Sequence, residues 1–93
     1  MSRPKRPRRL RFQPDTRYFK PVGVPLRTLE EVALFPDELE AIKLHDIDNL
    51  NQTNAAKKMN ISQPTFARII DKAYKKIAKA LIHGQAIKLK EID

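Results

Sequence analysis

The stretch from Leu50 to Ile70, LNQTNAAKKMNISQPTFARII, reads as a short amphipathic helix, a tight turn and a second helix. Ala56 is the small residue expected where the two helices cross, and Asn60 falls at the turn. Asparagine is one of the few residues besides glycine that tolerates the left-handed conformation a tight turn demands. Ile61 and Phe66 are spaced to plug the angle between the helices, and Ser62 to cap the second one. A helix-turn-helix unit of this kind holds one helix rigidly for a DNA major groove.

Upstream, Val32, Ala33, Leu34 and Phe35 form a short apolar run ahead of Pro36-Asp37-Glu38. Proline in the first turn and acids at the positive end of the dipole make that tripeptide a helix opening. Leu39, Ile42 and either His45 or Ile47 give this first helix its inward face, and it ends near Asp46. Asn51 caps the second helix, which runs to about Met59 with Ala55, Ala56 and Met59 inward. The third helix spans Gln63 to about His83 and is closed by Gly84. Pro64 is tolerated because its missing N–H has no intrahelical partner in the first turn.

Phe66, Ile70, Ala73, Ile77 and Ala80 or Leu81 follow one another at steps of four and three, which is the buried stripe of the third helix. Arg68, Lys72, Lys75 and Lys79 repeat the same steps, displaced by about 200° of helical turn. On a lone helix such a stripe is a solvated face; after a helix-turn-helix pattern its first two turns read as a DNA contact. Gln63, Thr65, Arg68 and Lys72 are the outward positions suited to base edges: glutamine to adenine, arginine to guanine, threonine to thymine. Lys75 extends the basic face, and Asp71 reads as its i,i+4 partner. Ser62 has its capping role and a candidate phosphate contact besides. Beyond Lys75 a straight helix leaves a curved groove, so the solvated reading regains ground.

Charge is segregated along the chain. Residues 1–20 carry eight Lys/Arg against one Asp, residues 28–50 one Lys against seven acids, and residues 51–90 nine Lys/Arg against one Asp. Net charge is +8. A polyanion should meet the two basic blocks while the acidic block faces away. Residues 1–9 read as a flexible basic arm, since proline removes backbone donors and like charges repel. With Arg11, the arm residues Arg3, Lys5, Arg6, Arg8 and Arg9 are candidates for phosphate neutralisation or minor-groove entry. Residues 10–93 form a single helix-turn-helix domain with its core at 36–83. Pro14, Pro21, Gly23 and Pro25 make the entry segment irregular, with Tyr18 and Phe19 anchoring it. Leu10 and Phe12 alternate with arginines, and 86–90 alternates again, so these two could pair with 86–90 as a small edge strand. The fold class expected is mainly α: a three-helix domain with a basic N-terminal arm and a small terminal β pairing.

From Leu34 to Leu81 the chain resembles region 4 of bacterial sigma factors and related regulators. Over nearly its whole length, through YFKP, the PL before Arg27, EEV and DELEA, it resembles the prokaryotic family called domain of unknown function 134. The resemblance implies DNA binding in transcription. Asn60 stands where the sigma-like turn commonly has glycine, and Pro64 where a small residue often precedes the threonine.

The function expected is double-stranded DNA binding by a transcription regulator. Alternatives of other classes are a module docking on RNA polymerase through acids such as Glu30, Glu31, Asp37 and Glu40, or an RNA-binding protein. No enzyme, cofactor or metal site is expected. His45 and His83 lie apart, there is no cysteine, and Gly23 and Gly84 cannot make a phosphate loop. Glu38, Glu40 and Asp46 read as helix-opening and surface acids. No membrane span is present in the sequence, and a cytoplasmic location is expected. The late apolar residues Ile77, Leu81, Ile82, Ile87 and Leu89 exceed one small core's needs. They serve either a homodimer or packing against Leu10 and Phe12.

Overall fold

Proline at position 36 and acids at 37 and 38 start the first helix where expected. In the computed structural model, which describes residues 17–90, α1 spans Pro36–Ile42, α2 Gln52–Met59 and α3 Gln63–His83. Among the described residues there are also three short strands, β1 Tyr18–Phe19, β2 Glu31–Leu34 and β3 Ala86–Leu89, and a 3-10 turn at Leu26–Thr28. None of the described helices is long and apolar enough to cross a membrane.

The caps explain the boundaries. Asn51 accepts the Asn54 N–H with its side chain at 2.8 Å, and Ser62 accepts that of Thr65 at 3.2 Å. Asn60 and Gly84 close α2 and α3 in the left-handed region, at φ 61° and 68°. The first helix ends differently. After Ile42 the chain widens into a π-helical turn, Lys43–Ile47, in which Asp48 N–H donates to Lys43 C=O. The extra residue per turn rotates Ile47 off the inward face, and it is 69% exposed. Leu44 is buried instead. His45 is half-buried: Nδ1 donates to Leu50 C=O at 2.8 Å, and the ring meets Phe66 edge-on.

Two apolar clusters share α3. Phe66 and Ile70 pack with Ala41, Leu44, Ala55 and Ala56, with Ile61 and Met59 against them. Ala73 packs with Leu34 and Leu89, joined by Leu39, Ile42, Ile77 and Ile87. The first helix and the π-helical turn after it are therefore covered on two sides, Ala41 and Leu44 facing one cluster and Leu39 the other. Ala80 is buried while Leu81 is 72% exposed, so the inward stripe of α3 continues through Ala80 rather than Leu81. Of the surplus late residues, Leu89 is buried, Ile77 and Ile87 are half-buried, and Leu81 and Ile82 remain exposed.

The strand expected at 86–90 is present, but at the centre of the sheet. The order is β1–β3–β2, with β1 antiparallel (Tyr18 opposite Lys88) and β2 parallel (Leu34 opposite Leu89). The apolar run before Pro36 thus becomes a strand, and Tyr18 and Phe19 become another. The proposed partners Leu10 and Phe12 lie outside the described residues.

One ion pair ties these layers together. Glu38, taken from the sequence for a surface acid, is 3% exposed. Its Oε1 accepts from Phe35 N–H at 2.9 Å and from Lys76 Nζ at 2.8 Å. Lys76 Nζ also donates to Ala33 C=O at 2.7 Å and lies 4.5 Å from the centre of the Phe35 ring. The buried carboxylate is tolerated because its Oε1 has two donors, one of them a half-buried ammonium that also has a carbonyl and a ring face. On the opposite flank of α3, the Tyr74 hydroxyl donates to the Asp46 carboxylate.

Lys76→Ala should destabilise the domain by about 3 kcal/mol, since it strands a buried carboxylate. The double change Glu38→Gln with Lys76→Met should recover most of that loss; urea unfolding measures both. Burial and then the Asp46 hydrogen bond and charge push the Tyr74 phenol up to about 12. Raised in the folded state, this group stabilises below pH ~10, and the contribution disappears as pH climbs through 12. Ultraviolet titration should find a phenol ionising near 12 that is missing from Tyr74→Phe, and that variant should lose less stability across the window.

Candidate nucleic-acid interface

Three residues, Asn60-Ile61-Ser62, join α2 to α3 and set the pose of the longer helix. Asn60 N–H donates to Lys57 C=O and Ile61 N–H to Ala56 C=O, each at 3.0 Å. These bonds satisfy two of the four terminal carbonyls of α2, while Ser62 satisfies a free N–H at the start of α3. Ile61 is half-buried and Phe66 fully buried, so the angle between the helices is filled by apolar side chains. The first turn of α3 is consequently held at both its backbone and its core face.

On that held helix Gln63, Arg68, Lys72, Lys75 and Lys79 are all exposed, and Thr65 is half-buried. Ser62 Oγ donates to Thr65 Oγ1 at 2.9 Å, which engages both hydroxyls in the cap and leaves Thr65 its own proton to donate. Asp71 pairs with Lys75 at 3.2 Å, the i,i+4 bond expected; both side chains are exposed, so its worth is about 0.3–0.5 kcal/mol. Lys57 and Lys58 at the end of α2 are also exposed and border a shallow groove with Leu50 and Asn54. Sequence reading passed over these two lysines; their place in the last turn beside the α2–α3 turn was the available signal.

The basic stripe is less uniform than its periodicity implied. Lys72, Lys75 and Lys79 border a groove of about 510 Å³ whose other wall is Val32, Ala33 and Phe35. Lys76 also borders this groove, but its half-buried ammonium is engaged by the buried Glu38 carboxylate. Glu30, Glu31, Asp37, Glu40, Asp46 and Asp48 are exposed. Asp46 lies on the Tyr74 flank of α3, about 160° around the helix from Lys72. Arg3, Lys5, Arg6, Arg8, Arg9 and Arg11 fall outside the described residues. Among the described residues no cluster of His, Asp or Glu could hold a metal ion.

Because the pose of α3 depends on a left-handed residue at the turn, Asn60→Ala should cost about 1–2 kcal/mol and Asn60→Gly far less. Thermal unfolding of the two variants checks the difference.

Comparison with known proteins assigns the chain to a family. It is 47% identical over 93 residues to a UPF0251 protein of Halothermothrix orenii, covering all of this chain and 69% of that one. It is 52% identical over 89 residues to UPF0251 protein TTE1845 of Caldanaerobacter subterraneus, covering 96% and 75%. With a UPF0251 protein of Desulforudis audaxviator it shares 48% identity over 89 residues, covering 96% and 58%. No solved structure matches the chain. The family model described as "Protein of unknown function DUF134" matches residues 1–93, and the chain belongs to that family.

Proposed function

We propose that this protein binds double-stranded DNA as a transcription regulator, with α3 as its recognition helix in the major groove. One observation carries the proposal. The N-terminal half of α3 buries Phe66, Ile70 and Ala73 and exposes Gln63, Arg68 and Lys72 on the other side. A helix so clamped presents cations and amides in a fixed pose, which is what base-edge contacts require. Ser62 and Lys75 serve phosphates at the two ends of this surface, and the basic arm adds contacts that do not depend on sequence. The exposed acids at Glu30, Glu31, Asp37 and Glu40 favour a second reading, docking on RNA polymerase. The two readings are compatible within one regulator.

Selection of bound fragments from random duplex DNA tests the proposal. A defined motif should be enriched, and a palindrome would show that two copies bind together. On the enriched duplex Arg68→Ala should cost about 1–3 kcal/mol and relax preference at one base pair. If about six phosphates are engaged, affinity should fall roughly 10³-fold between 50 and 200 mM salt. Removal of residues 1–9 should flatten that slope. Structured RNA outcompeting duplex DNA at every salt concentration would overturn the proposal.

A further inference from the structure

The sheet order leaves one side of β2 on β3 and the other beside the lysines of α3. Ala86 N–H donates to Glu30 C=O and Lys90 N–H to Leu34 C=O, so the even-numbered residues here turn their peptide groups toward β3. Strand alternation then aims the N–H and C=O of Glu31 and Ala33 away from β3. Lys76 marks that direction by reaching Ala33 C=O from α3. Among the described residues no strand pairs with this outer edge, and one of its acceptors is occupied by a lysine. Beside it runs the groove of about 510 Å³, with Val32, Ala33 and Phe35 on one wall and Lys72, Lys75, Lys79 and a single acid, Asp71, on the rim.

We propose that this groove docks an extended acidic segment of a partner protein, which adds a strand to β2 and sets carboxylates against the lysine rim. The edge asks for a partner having both N–H donors and C=O acceptors, which a peptide backbone supplies. A phosphodiester strand offers phosphate acceptors but no row of donors. The rim asks for negative charge, and Asp71 answers Lys75 only through an exposed bond. Lys72 and Lys79 lie about 10 Å apart along α3, while alternate residues of an added strand repeat every ~7 Å. Flexible lysine stems accommodate that difference. Lys72 and Lys75 belong to both surfaces, whereas Lys79 lies beyond the part of α3 assigned to DNA, so a change at Lys79 tests the groove separately.

The test titrates the intact chain with a fluorescein-labelled peptide of alternating glutamate and valine, about eight residues long. Anisotropy should saturate, and the backbone amide signals of Glu31 and Ala33 should shift in NMR spectra. The same peptide N-methylated at alternate backbone positions keeps its charge and should bind about tenfold more weakly. Lys79→Glu should weaken the parent peptide by about tenfold through like-charge repulsion, with duplex DNA binding and the thermal midpoint unchanged. Equal binding of the N-methylated peptide would overturn strand addition. So would amide shifts confined to Leu50, Asn54, Lys57 and Lys58, or an absence of saturable binding. Equal loss of peptide and duplex DNA in Lys79→Glu would make the groove an extension of the nucleic-acid surface and overturn the proposal.

Discussion

Everything in this domain is organised by the burial of one stripe of α3 along most of its length. At 1.5 Å per residue the helix is about 30 Å long, far more than one small cluster can cover. The chain covers it in two instalments. The first helices take Phe66 and Ile70, and the sheet takes Ala73 and its neighbours. Full burial of Phe66 alone contributes roughly 2–3 kcal/mol against the entropy of ordering the chain. Helix propensity alone would not fix so long an element in one pose; packing at both ends does.

The joint between the two instalments is polar. Lys76 comes from α3, Glu38 from α1 and Ala33 from β2, and their hydrogen bonds meet around one ammonium group. Glu38 also holds the Phe35 N–H at the start of α1, so the charge that neutralises Lys76 organises the strand-to-helix junction as well. Apolar residues there would be comparably stable but would not specify direction. The pair fixes how the sheet sits on the helix, which shapes the wall of the adjoining groove.

Function follows from what this packing leaves outside. The cations of α3 divide into three environments: exposed ahead of Lys72, exposed along the groove rim at Lys72, Lys75 and Lys79, and half-buried in an ion pair at Lys76. The same residue type therefore serves as surface charge, groove rim and structural strut. Which of these it becomes depends on its angle around the helix relative to β2. Asp46, by contrast, is held on the far flank through Tyr74, so the two signs of charge are kept apart at this point.

Much of the fold is legible in the sequence because its signals act over four residues or fewer. The bounds of α3, the Asn51 and Ser62 caps and the left-handed Asn60 and Gly84 are each written beside the structure they determine. The exposed positions Gln63, Arg68, Lys72 and Lys75 follow from the same local periodicity. The tertiary structure decided the rest. It turned Val32–Leu34 into a strand, placed 86–89 at the centre of the sheet, rotated Ile47 outward and drew Glu38 into the interior. Periodicity states which side of an element is buried; it does not name what will cover that side. Glu38 and Lys76 are 38 residues apart, and only the closed fold brings an acid and a lysine that both look like surface residues within 2.8 Å.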